Sequence, residues 1–209
     1  MSISVFAVLA INVGINLRYC WLVYTKKIKP ALAMWLFFVV AVAISLSTYL
    51  ANGNFSPMDN ILNTSDLVMV SVVMLYVLFH GDASSRFTRF DKGCLAAVLA
   101  IVVFWAVTRN HFVTNLAVQA IMVIAYFPVV KRMLTERKNT EPFTVWFAMF
   151  AVAGISLFSN KGTLANIYAI RAMACTGLLL TLMLRIEYLN RKQALIPSQQ
   201  AVLNRKKRR

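Results

Sequence analysis

Long apolar runs separated by short polar stretches make up most of this chain. Seven runs stand out: Ile3–Tyr24, Ala31–Ala51, Ile61–Phe79, Gly93–Thr108, Phe112–Val130, Phe143–Phe158 and Thr163–Leu184. A soluble domain of this size alternates apolar and polar faces, whereas these runs are close to unbroken. A bilayer core is about 30 Å thick and takes about 20 apolar residues to cross as a helix. Backbone groups in lipid must be satisfied within the segment, so each run is predicted to be helical. The fourth and sixth runs are short and are expected to borrow a residue or two from their flanks. The pattern predicts an all-α membrane protein with seven transmembrane helices.

The runs fall into two related sets. From Arg18 to Leu46 the chain reads RYCWLVYTKKIKPALAMWLFFVVAVAISL, and from Ala125 to Leu157 it reads AYFPVVKRMLTERKNTEPFTVWFAMFAVAGISL. In both, a tyrosine (Tyr19, Tyr126) precedes a basic run and a proline (Pro30, Pro142) opens the next helix. A tryptophan (Trp35, Trp146) then stands nine residues before Ile-Ser-Leu. Internal repetition of this kind outranks other fold signals. It predicts two three-helix halves, residues 1–80 and 112–187. A linker with an unmatched fourth helix, 81–111, joins them, and a basic tail, 188–209, follows: a 3+1+3 parallel-repeat arrangement.

Charge orients these helices. The 209 residues carry a net charge of +15, which in a soluble protein would point to nucleic acid. Here eighteen of the 22 Lys and Arg lie in alternate connectors and the tail, against Arg109 and Lys161 on the other side. Cytoplasmic loops collect Lys and Arg, so the N-terminus is expected outside and the C-terminus in the cytoplasm, in a plasma or inner membrane. The run Arg205–Arg209 is expected to meet anionic headgroups, with no nucleic-acid partner. Asn12, Asn16 and Arg18 interrupt the first run, and no small-residue cleavage site follows it, so it is read as a mature helix and not a signal peptide. Cys20, Cys94 and Cys175 are odd in number and well separated, which suggests neither a disulfide framework nor a zinc site. Whether copies of the chain associate is left open.

Polar residues inside the runs mark candidate chemistry. Asp66 lies about 8–9 Å below the outer boundary of the third helix and Arg171 about 12 Å below that of the seventh. Ionisable residues at such depth face the bundle interior and mark functional sites by default. Asp66 and Arg171 form either a structural ion pair or a substrate-binding or proton-coupled pair. Tyr168, Arg171 and Cys175 share a face of the seventh helix. Asn63 and Asn166 occupy similar places in the third and seventh helices. With the two tyrosines aligned, Asn12 falls opposite Gln119; these amides either bond helices together or line a cavity. Pro128 near the end of the fifth helix is expected to kink it, as a fixed bend or a hinge. Trp35, Trp146 and Trp105 read as interface anchors.

The arrangement resembles the PQ-loop/SWEET superfamily of small transporters. The evidence is two three-helix repeats in one orientation, the N-out/C-in topology and a Tyr-x-Pro element before a basic loop, over about residues 3–187. The Pro-Gln dipeptide of that family stands here as Pro128-Val129 and Trp21-Leu22. Asn63 and Asn166 look like the asparagine pair that touches substrate in the sugar-carrying branch. The resemblance implies alternating access about a midplane site. The expected function is transport of a small polar solute such as an amino acid, sugar or vitamin-like metabolite, facilitated or proton-coupled. The expected site is Asn63, Asp66, Asn166, Arg171, Asn12, Gln119 and Tyr168, with Pro128 as hinge. Asp66 and Arg171 suit a zwitterionic, acidic or proton-coupled substrate.

A ligand-binding receptor or sorting protein on the same architecture, as in the KDEL-receptor branch, is the alternative. A retinal protein is disfavoured because the seventh helix has no lysine for a Schiff base. Neither His80 nor His111 has neighbours that suggest a metal site, and no nucleophile–base constellation is evident. No enzyme activity, metal or cofactor is therefore expected.

Overall fold

The computed structural model describes residues 2–28, 32–80, 89–136, 139 and 141–206. The expected helix-opening Pro30 lies outside these, as do Lys29, Arg86, Arg137, Lys138 and residues 207–209 of the basic tail. The described chain is helical throughout its regular structure: α1 Ile3–Tyr24, α2 Leu32–Ala51, a 3-10 turn Pro57–Asn60, α3 Ile61–His80, α4 Arg89–Thr108, α5 His111–Ile124, α6 Phe127–Glu136, α7 Phe143–Ser156 and α8 Thr163–Lys206.

Four segments are long and apolar enough to cross a membrane: Ile3–Tyr24, Pro57–His80, His111–Thr135 and Thr163–Asn190. Trp35–Ala51, Lys92–Thr108 and Phe143–Ser156 are shorter apolar helices. Of the two runs expected to lengthen, α4 does so by beginning at Arg89, but α7 does not. Pro142 stands at its N-cap, and beyond Ser156 the amides of Ser159 and Asn160 both turn back to the Ser156 carbonyl. Its 14 residues rise only about 21 Å. The last helix departs the other way, since α8 continues to Lys206 with no break at the apolar boundary.

Side chains are distributed inside out. Asn12, Ser45, Thr48, Asn63, Thr114, Asn115 and Gln119 are buried, whereas Phe6, Val13, Leu17, Val68, Val103, Ile170 and Leu178 are exposed. Exposed apolar surface on this scale is a liability in water and the ordinary exterior of a helix bundle in lipid, where polar groups turn inward.

α3 packs against both α1 and α2, and α8 packs against both α7 and α5, with α6 also resting on α8. The two groups meet where α1 packs on α7 and α2 on α5, and α4 leans on α5 and α2. Between α5 and α6 the helix is interrupted at Ala125–Tyr126. There the Tyr126 amide takes a tightened bond to the Val123 carbonyl, 3.1 Å, before regular bonding resumes from Val130 to Tyr126. Pro128 follows at once; lacking an N–H, it cannot bond the Ile124 carbonyl four residues back. The expected kink is thus a break in the helix.

Candidate functional site

Between the two groups of helices lies a cavity of about 580 Å3, within the range of about 300–1,000 Å3 usual for small-molecule sites. At one end of its lining stand Asn12 of α1, Asp66 of α3, and Tyr168 and Arg171 of α8. At the other stand Lys27 and Ile28 of the α1–α2 connector, Phe90 of α4, and Glu141 just before α7. No described residue of the turns 52–60, 109–110 or 157–162 lines it. The cavity therefore opens toward the basic connectors and ends blindly at Asp66 and Tyr168.

The blind end is held by bonds among four helices, α1, α3, α5 and α8. Asp66 accepts from the Tyr168 hydroxyl at Oδ2, 2.8 Å, and from Asn12 Nδ2 at Oδ1, 3.3 Å. Asn12 also donates to Ser65 Oγ at 2.6 Å. Arg171 donates from Nε to Gln119 Oε1 at 2.7 Å, and its guanidinium carbon lies 4.8 Å from the centroid of the Tyr168 ring. Asp66 and Arg171 share the cavity but form no direct ion pair; Tyr168 is interposed, touching one with its hydroxyl and the other with its face. The expected alternative of a closing salt bridge does not describe this geometry.

Outward of Gln119 a buried polar plug fills the bundle. Ser45 Oγ accepts from Asn63 Nδ2 and from Gln119 Nε2, both at 2.9 Å. Asn115 Nδ2 donates to the Ser45 carbonyl at 2.8 Å and to Thr48 Oγ1 at 2.9 Å. Every member is at most 5% exposed. Asn63 and Gln119 thus belong to this plug and not to the cavity lining, with Gln119 reaching the site only through Arg171. Asn166 joins neither. It is exposed, because the inward face of α8 carries Leu164, Ala165, Tyr168 and Ala169, and a residue two from both Leu164 and Tyr168 points roughly the other way at 3.6 residues per turn.

Above the plug the outer turns are latched together. Lys161 Nζ pairs with Asp59 Oδ1 at 2.7 Å. The Lys161 amide bonds the Asp59 carbonyl at 2.8 Å, and the Tyr49 hydroxyl donates to the Lys161 carbonyl at 2.9 Å. Phe55 stacks on Tyr49 with centroids 4.9 Å apart.

At the open end the repeated residues meet. Tyr19 and Trp35 are in edge contact, 5.0 Å and 67°, and Tyr126 and Trp146 repeat that contact at 6.0 Å and 65°. Phe38 joins the pairs, 6.4 Å from Trp35 and 6.4 Å from Tyr126. All five rings line the cavity, so Trp35 and Trp146 form a collar within the protein and do not serve as lipid-facing anchors. The Trp35 indole N–H is buried without a partner among the described residues.

Sequence reasoning passed over Asn115 and the collar. An amide pair four apart, Asn115 and Gln119, was the available signal for the first, matching Asn12 and Asn16. The Tyr and Trp shared by both repeats were the signal for the second. Among the described residues, no group of three or more His, Cys, Asp or Glu could hold a metal ion.

Comparisons with family models, with curated proteins and with solved structures found no match to this chain. Fold and site together define an all-α membrane protein with an internal cavity whose blind end is polar.

Proposed function

We propose that the chain is an alternating-access carrier of a small polar solute, built on seven membrane helices in a 3+1+3 plan of the PQ-loop/SWEET kind. The observation that carries this reading is the cavity between the two helix groups, open at one end and latched at the other, with Asp66 and Arg171 at its blind end. The packing supports a two-half design. Exchanging α1 with α5, α2 with α7 and α3 with α8 turns α1–α3 packing into α5–α8, α2–α3 into α7–α8 and α1–α7 into α5–α2. Repeats related in this way rock against each other around a midplane site in known carriers. The lysines and arginines of the connectors favour a cytoplasmic basic end, which makes this the inward-open state. Purified protein in proteoliposomes tests the reading. Saturable counterflow of a labelled solute, lost in Asp66→Asn and Arg171→Gln, is the expected result. Binding without flux favours a receptor on the same architecture.

A further inference from the structure

The charges at the blind end specify a class of solute, an inference that rests on the carrier reading of the same cavity. Opposite charges at membrane depth ordinarily neutralise one another by direct pairing. Here Tyr168 stands between them, and each keeps unused bonding capacity. Asp66 accepts one bond at each oxygen, while a carboxylate offers about four lone-pair positions. Arg171 commits its Nε to Gln119 and one face to Tyr168. The Tyr126 hydroxyl and Cys175 also interact with the guanidinium, whose five N–H donors form a planar fork that matches a carboxylate and are not exhausted by these partners. Among the described residues the other carboxylate on the cavity wall is Glu141, at the mouth beside Trp146, so no second described acid competes for Arg171 at its own depth.

The remaining walls narrow the choice. Val42, Val70, Met122 and Met149 line the middle of the cavity, and the aromatic collar follows. The amides that would serve a polyhydroxyl solute, Asn63, Asn115 and Gln119, donate within the plug and are absent from the lining. A simple amine would leave Arg171 uncompensated and a simple acid would leave Asp66 so, and an unpaired buried charge is costly.

We propose that the solute is a zwitterionic α-amino acid with an apolar side chain, its carboxylate on Arg171, its ammonium on Asp66 and its side chain toward Met122 and Phe38. The test uses full-length protein, with phenylalanine as probe. Phenethylamine lacks the carboxylate, 3-phenylpropionate lacks the ammonium, and glucose lacks both charges. Binding is read as thermal stabilisation in detergent and transport as counterflow in proteoliposomes. Phenylalanine is expected to stabilise and to exchange, and each single-charge analogue to bind at least about tenfold more weakly. Asp66→Asn should weaken phenylalanine by at least about tenfold yet spare 3-phenylpropionate, and Arg171→Gln should spare phenethylamine. An analogue lacking either charge that binds the unaltered protein as tightly as phenylalanine overturns the proposal, whether or not the variants fold. Glucose exchange without any phenylalanine binding overturns the zwitterion and keeps the carrier. Phenylalanine binding without exchange overturns the carrier and keeps the zwitterion site. Absence of both phenylalanine binding and exchange overturns the proposal.

Discussion

Tyr168 donates its hydroxyl to Asp66 at 2.8 Å while its ring lies under the Arg171 guanidinium, 4.8 Å from centroid to carbon. One side chain thus restrains an acid and a base without letting them neutralise each other. Tyr168→Phe keeps the ring and removes the bond. It should lower unfolding stability by about 1–3 kcal/mol, since a part-buried charged acceptor loses its donor. Tyr168→Ala should cost more, because the cation–π contact and the packing of a fully buried ring go too. Melting curves in detergent for both variants check the order.

Ser45 is the node of the buried plug, accepting from Asn63 and Gln119 through one oxygen. Ser45→Ala strips both donors at once. Interhelical bonds in membranes average about 0.6 kcal/mol and reach about 1.7 kcal/mol, so a loss of about 1–2 kcal/mol is expected. Ser47, on the exposed side of the same helix, should tolerate alanine with no measurable change.

In the outer latch, the ion pair and the hydroxyl bond should contribute unequally. The Lys161 side chain is 70% exposed, and exposed pairs are worth about 0–1 kcal/mol. Lys161→Ala also keeps the backbone bonds of residue 161. Tyr49→Phe leaves the Lys161 carbonyl without its 2.9 Å donor and should be the more damaging change, by melting temperature.

Gly162 holds φ +81° next to Phe55, and a Cβ there would lie 2.8 Å from the Phe55 ring. Gly162→Ala should therefore destabilise by about 1–2 kcal/mol from the left-handed backbone alone, and by more from the clash. Adding Phe55→Leu should recover the clash but not the backbone cost. A double-mutant cycle on melting separates the two.

Pro128 follows the break at Ala125–Tyr126 and withholds a donor from Ile124. Pro128→Ala restores that donor. If the break is a hinge of the carrier, the variant should melt at or above the parent temperature and exchange solute more slowly. Equal exchange rates would make the break a fixed bend.

The helices themselves were plain in the sequence. α1 spans the residues its apolar run marks, and the two Tyr–Trp repeats meet in space as equivalent contacts. What stayed hidden was direction. A helix apolar on every side carries no stripe to say which face turns inward, so Asn166 and Tyr168 looked equally suited to a site. Packing of α8 between α5 and α7 chose Tyr168. The same lack of direction left Asp66 and Arg171 open between a structural ion pair and a substrate-binding pair, since sequence gives their depth and not the side chain between them. The ends were hidden for another reason. α7 stops at Ser156 by backbone turns, and α8 passes its apolar boundary without a terminator, so hydrophobicity defined neither limit.

The collar has an optical consequence. Two of the four tryptophans in the chain, Trp35 and Trp146, sit in it at corresponding places in the two repeats, linked through Phe38 and Tyr126. If the chain works as the proposed carrier, a solute leaving toward the basic end passes between these rings, and rocking of one half against the other changes their spacing. The protein thus carries an intrinsic fluorophore pair at the open end of its cavity, and on the carrier reading its emission would follow the transport cycle without any attached dye.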